Sequence, residues 1–133
     1  MIKRLTGNCL CGAVSYCVTG ELEDFLLYHC SRCQKSSGSA HTSNVLVRSA
    51  TCTWEQGEAK VTSFELSGAL YSRCFCSLCG SPLPAYEDDL LIVPASSIRG
   101  GIGIAPRAHI YSASKAVWEH DFESLEAFEE LPG

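Results

Sequence analysis

Cys9 and Cys11 in "NCLCG" stand one residue apart, and Cys76 and Cys79 in "CSLCG" two residues apart. Each pair makes a short knuckle able to aim two sulfurs at one point. Four thiolates at about 2.3 Å satisfy a tetrahedral zinc ion in a closed structural site, which here would clip together two distant segments of the chain. Gly12 and Gly80 directly follow the last cysteine of each pair, where a residue free to take positive φ lets backbone amides turn back toward the sulfurs. Four buried free thiols are the competing reading, since cysteine packs well as a small hydrophobe. That reading gives no reason for two glycine-closed pairs.

A third pair, Cys30 and Cys33, lies in "YHCSRCQKSSGSAH". Two ligands do not close a tetrahedron, so this pair needs a further ligand or leaves positions open to water and substrate, as catalytic zinc does. His29, His41, Cys17 and Cys74 are the candidates for that ligand. His29 adjoins Cys30, and in an extended segment neighbouring side chains point to opposite faces, which argues against it. Even without metal, a cysteine near Arg32 and Lys35 at a helix start has its thiolate favoured and can act as a nucleophile or redox group. Two partly buried structural cysteines are the bland alternative.

The rest of the chain must position these thiols. Its 133 residues, 46% hydrophobic and 19% charged, suit a single soluble domain over residues 1–133 that buries roughly two-thirds of its unfolded surface. The opening "MIKRLTG" has no apolar run of the signal-peptide kind, and no stretch approaches the roughly 20 apolar residues of a membrane span. A cytoplasmic location is therefore expected. In a reducing compartment nine cysteines, an odd number, are poorly explained as a disulfide framework. Metal ligation is the better account.

Short runs rich in alternating apolar residues predict strands over 13–18, 44–48, 52–55, 60–66, 70–74, 83–87 and 90–93, separated by Gly, Ser, Pro or acidic turns. Helices are expected over 31–37 and over 122–130, the second carrying Phe122, Leu125 and Phe128 three apart, with Asp121 as its N-cap. The class is mainly β: short antiparallel strands in a sandwich or tent with one or two short helices. The glycine-rich stretch 99–109 fits no phosphate fingerprint and reads as a loop, and the acids of "YEDDL" read as a solvated turn. His109, between apolar residues in "AHIY", reads as a packed strand residue, and Trp54 and Trp118 as core.

The chain resembles the glutathione-dependent formaldehyde-activating enzymes and their relatives, which include centromere protein V. The resemblance rests on "TGNCLCGAVSYCVTG" at 6–20, "YHCSRCQKSSGSA" at 28–40, "FCSLCGSPL" at 75–83 and, more weakly, "RAHIYSASKAVW" at 107–118. It implies a β-rich, tent-like fold with a structural zinc on the residues matching Cys9, Cys11, Cys76 and Cys79, in agreement with the spacing. It also implies a second, catalytic zinc on a Cys-x-Cys-x-x-Cys run, which here would be residue 28, Cys30 and Cys33. Residue 28 is tyrosine. A neutral phenol with a pKa near 10 is a much poorer zinc ligand than a thiolate, so the departure weakens that second metal.

Two classes of function follow. As an enzyme, the resemblance implies carbon-sulfur lyase chemistry on adducts of glutathione, or a similar thiol, with formaldehyde or another small aldehyde. Cys30 and Cys33 would ligate metal or act directly, and Arg32, Lys35, Ser36 and Gly38 would receive the glutathione carboxylates. As a non-enzyme, the domain would be a zinc-stabilised interaction module. Nucleic acid is disfavoured as a partner by a pI near 5.3 and the absence of a basic stripe in the sequence.

Overall fold

The computed structural model describes residues 2–69 and 71–133. Nine strands, β1 (Ile2–Asn8), β2 (Ser15–Tyr28), β3 (Thr42–Gln56), β4 (Val61–Glu65), β5 (Ser72–Cys76), β6 (Pro82–Leu83), β7 (Ala85–Glu87), β8 (Leu90–Pro94) and β9 (Ala108–Ile110), and one helix, α1 (Ser31–Ser37), follow in chain order. The fold is mainly β, as expected. A large sheet runs β1-β2-β3-β8-β7, and β4-β5-β6 form a small one. All pairs are antiparallel except β2 with β9, where Leu26, Leu27 and Tyr28 lie beside Ala108, His109 and Ile110.

β2 and β3 carry the architecture. Within β2, Tyr16, Val18, Gly20 and Phe25 face inward between more exposed neighbours, the period of a half-buried strand. Register shifts between Thr19 and Glu21 and between Leu22 and Asp24 slip that phase, so an alternation legible only to residue 18 belongs to a strand reaching residue 28. A similar break explains why 44–48 and 52–55 read as two strands. Ser49 takes a φ of 52° and bends β3 without ending it. Residues 83–87 divide into β6 and β7 around the buried Pro84, and Leu70, at the start of one expected strand, lies outside the described residues.

The core lies between the sheets. Val18 and Phe25 of β2, Val45 and Val47 of β3, and Leu91 and Val93 of β8 pack with Cys76 and Leu83 of the small sheet. Each such aliphatic side chain contributes about 1.5–3 kcal/mol when fully buried. Tyr16 is fully buried, and its hydroxyl donates to Ser97 Oγ at 2.6 Å while Ser97 donates to the Pro94 carbonyl at 2.7 Å. Burial pushes the Tyr16 phenol up to about 12. Trp54 packs edge-on against Tyr16 and sits beside the core, in line with its sequence reading.

Three expectations need correction. Residues 122–130 form no helix beyond a single turn at Phe122–Ser124. Phe122, Leu125 and Phe128 stay exposed, and a helix of under about 12 residues is marginal without a face to bury. Asp121 adopts a left-handed φ of 51° and makes no side-chain cap. Trp118 is 60% exposed and stacks on Phe122 instead of entering the core. His109 does lie on a strand, but on the exposed side of β9. β1, which no sequence signal announced, pairs with β2 over its whole length. Of the stretch 99–109 read as a loop, residues 99–107 are one, and Ala108 and His109 begin β9.

Gly7, just before the first cysteine knuckle, lets β1 approach the Tyr16–Ser97 pair. An added Cβ would collide with the Tyr16 ring and the Ser97 carbonyl. Gly7→Ala should therefore cost about 2 kcal/mol by overpacking, read as a lowered Tm in thermal unfolding. A variant as stable as the parent would show that β1 can shift at no cost.

Candidate functional site

The four knuckle cysteines meet. Cys9 follows β1 and Cys76 ends β5, and both are buried, whereas Cys11 is exposed and Cys79 half-buried. The four sulfurs lie within 4.8 Å of one another. Cys9 Sγ and Cys11 Sγ are 3.6 Å apart, and Cys11 Sγ and Cys76 Sγ, 65 positions apart in the chain, 3.9 Å. Both turns close as their glycines require: Gly12 has a φ of 81° and Gly80 of 77°, and their amides donate to the Cys9 and Cys76 carbonyls at 3.1 and 2.8 Å. Ser81 ties the knuckles together, its hydroxyl accepting from the Leu10 amide at 2.9 Å.

The electrostatics suit a cation. Hydrogen bonds from the Ser81 hydroxyl and the Cys11 and Ser81 amides pull the Cys79 thiol down to about 5. Cys11 is pushed up to about 11, the favourable Ala13 amide being outweighed by the sulfurs around it. Four sulfurs this close cannot all be thiolates without a positive charge among them, and tetrahedral zinc supplies one with the matching donor set.

The second feature is a cleft of about 620 Å³ between α1 with its flanking strands and the small sheet. Tyr28, Cys30, Arg32, Cys33, Ser36, Arg73, Cys74 and Glu87 are among its lining residues. Cys30 precedes α1, and Cys33 is the helix's buried residue. Burial pushes the Cys33 thiol up to about 12, and the adjacent Cys30 sulfur adds to the effect. Burial also raises the Tyr28 phenol, assisted by Glu87 and Tyr111. At neutral pH Tyr28 is therefore a hydrogen-bond donor.

The remaining candidates scatter. Lys35 faces a smaller adjoining groove with Arg32, Ser36, Phe64, Leu66, Tyr71 and Arg73. Gly38 closes α1 with a φ of 68°, its amide donating to the Gln34 carbonyl at 2.7 Å. The Ser36 and Ser37 hydroxyls donate to the Cys33 carbonyl at 3.2 and 2.8 Å, which spends them on the helix itself. Of the four residues considered as a third ligand for Cys30 and Cys33, only Cys74 shares the cleft. Among the described residues no third donor gathers with the pair, whereas His29 and His41 gather with Glu119. Glu119 carried no sequence signal, because it sits in an acidic stretch with no spacing that links it to a histidine.

The family model for the glutathione-dependent formaldehyde-activating enzyme matches residues 4–114. The chain belongs to this family. All three cysteine pairs of this formaldehyde-activating family member, and the whole of its cleft lining, fall inside the match. Its fold is similar to that of a crystal structure of a Rhodobacter sphaeroides protein, a structural genomics target, with a TM-score of 0.57 and 20% identity over 76% of this chain and 97% of the other. No curated protein matches the chain. No helix among the described residues is long and apolar enough to cross a membrane.

Two outcomes follow. Cys76→Ser should remove the thiolate-bound metal and destabilise or unfold the domain, because binding energy at a site joining distant segments is folding energy. Elemental analysis with thermal unfolding checks this, and a folded variant with undiminished metal would exclude the site. Tyr28→Cys should raise the thiolate-bound metal from one to two per chain, read from sulfur-to-metal charge-transfer absorption of the cobalt(II) form. An unchanged intensity would mean that the cleft wall does not take metal even with its third sulfur restored.

Proposed function

We propose that the protein makes or breaks the carbon–sulfur bond of an adduct between glutathione, or a similar thiol, and formaldehyde or another small aldehyde, and that zinc occupies the four-cysteine site. The reading is carried by the cleft, which combines the volume for a tripeptide-sized ligand with sulfurs, a neutral phenol and two arginines on its lining. It is supported by membership of the formaldehyde-activating family. The cytoplasm, where reduced glutathione is abundant, is the matching compartment.

In the forward direction the thiol gives up its proton, its sulfur bonds to the aldehyde carbon, and the carbonyl π pair moves onto oxygen, which takes a proton. Atoms and charge balance with no further reactant. Arg32 and Arg73 are the cations of the lining and take the glutathione carboxylates, a charge-assisted contact. Their placement holds thiol and aldehyde together, and proximity is most of what this reaction needs. Tyr28, kept protonated by burial, donates to the oxygen on which charge develops. Cys30 and Cys33 form the wall behind the reacting carbon. Two sulfurs with a neutral phenol in the third position do not make a three-ligand catalytic zinc site, so no step is routed through a metal there.

Tyr28 in place of a cysteine also favours a second reading, a non-catalytic zinc-stabilised interaction module. NMR exchange spectroscopy of glutathione with formaldehyde separates the two. The protein should accelerate interconversion of free thiol and S-hydroxymethyl adduct, Arg32→Ala should raise KM for glutathione about tenfold by loss of one charge-assisted contact, and Tyr28→Phe should lower kcat. If the metal-replete protein shows no rate above buffer with this or other small aldehydes, the enzyme reading fails and the module reading stands.

A further inference from the structure

Just beyond the end of β2 lies a second cluster, none of whose members lines the cleft and whose chemistry the proposed reaction does not use. His29 is 1% exposed, and its Nδ1, His41 Nδ1 and Glu119 Oε1 are buried atoms without a hydrogen-bond partner. These three residues present ligand atoms within 4.8 Å of one another. His29 Nδ1 and Glu119 Oε1 are 3.0 Å apart, an ion-pair distance, yet not aligned as a hydrogen bond. A protonated His29 paired with Glu119 would still leave His41 Nδ1 orphaned, and each orphaned buried polar atom costs about 1–3 kcal/mol. One cation placed among the three atoms satisfies them all.

The surroundings prepare the donors. His29 Nε2 and His109 Nδ1 are 2.8 Å apart. If Nε2 carries the proton and donates it to His109, the Nδ1 lone pair of His29 is free and directed at the cluster. This is the arrangement in which a metal-ligating histidine is oriented by the hydrogen bond of its other nitrogen. Burial lowers the pKa of His41, and the neighbouring His29 lowers it further, so its ring stays neutral. The His29 carbonyl is also fixed, accepting from Gln34 Nε2 at 2.8 Å, and the same nitrogen reaches the Ser114 carbonyl at 2.9 Å.

We infer that His29, His41 and Glu119 form a divalent-metal site, best suited to zinc, with His109 as its positioning residue. Two imidazoles and a carboxylate are an established zinc donor set, completed by one water, and ligand atoms at about 2.0–2.1 Å from tetrahedral zinc stand roughly 3.3 Å from each other. The ion joins three segments: the end of β2, the turn between α1 and β3, and the chain after β9. Its ligand His29 adjoins Cys30 in the chain, so the ion steadies the segment that carries Cys30 and Cys33 while pinning the stretch around Glu119 to the sheet. Glu119 lies beyond residues 4–114, the span of the family match, whereas His29, His41 and His109 lie within it.

Cobalt(II) titration of the full chain tests the inference. Two equivalents should bind, one with sulfur-to-metal charge transfer from the four-cysteine site and one with visible ligand-field bands only. Glu119→Gln and His41→Ala should each abolish the second equivalent and leave the first. His109→Leu should weaken the second 10- to 100-fold, the usual cost of losing an outer hydrogen-bond partner. Cys30→Ser should leave both. A second equivalent that survives Glu119→Gln and His41→Ala, that disappears with Cys30→Ser, or that never binds to the parent protein would overturn the site. Should His41→Ala fail to fold, histidine ring ¹⁵N shifts of the parent on zinc addition decide instead: Nδ1 of His29 and His41 must move to values of metal-bound nitrogen, and unmoved shifts exclude the ion.

Discussion

Among the described residues the two sheets share no hydrogen-bonded strand pair, and at this end of the molecule they meet at four sulfurs. Cys9 hangs from the end of the large sheet's first strand and Cys76 from the middle strand of the small sheet. The ion proposed for this site would convert a loop of more than sixty residues into a closed ring and offset its ordering cost in a single coordination event. The turns around them are built for that event alone. Two glycines take positive φ, and one serine bridges the knuckles.

The cleft inherits its shape from this joint. One wall is β5 with its neighbours, which the Cys76–Cys79 knuckle anchors, and the other is α1 with the ends of β2 and β3. A helix of seven residues with a single buried side chain has little stability of its own. It depends on the Cys33 contact, on Gly38 at its end and on the Gln34 side chain, which reaches both the residue before Cys30 and the segment beyond β9. The residues on this wall of the cleft are thus held by contacts from three distant parts of the chain.

How legible this was depended on how local each signal is. The paired cysteines and their glycines are local, and they announced the meeting of the four sulfurs directly. Strand character was local too, but β2 and β3 came through in fragments, because register shifts near Gly20 and the positive φ of Ser49 break the alternation that a reader follows. β1 stayed hidden because its seven residues mix lysine, arginine and glycine with few apolar positions, and its place is decided by the partner β2. The helix expected over 122–130 failed for the converse reason: its apolar spacing is right, but no surface is presented to it. The histidine cluster had no local trace, since its members come from residues 29, 41, 109 and 119 and are brought together by the antiparallel pairing of β3 and the parallel pairing of β9 with the end of β2.

The long interval between the two knuckles bears on how the protein is made. Synthesis delivers Cys9 and Cys11 first, and β1, β2 and β3 can pair consecutively as antiparallel neighbours before Cys76 exists. Until Cys79 has left the ribosome, the first two thiols have no complete coordination shell, so ion capture comes after the large sheet has begun to form and locks an arrangement already under way. A nascent chain waits in that interval with two uncommitted sulfurs, one of them exposed even in the finished fold. With the metal proposed for this site, metal supply and thiol oxidation compete for those sulfurs during biosynthesis, before the second knuckle arrives.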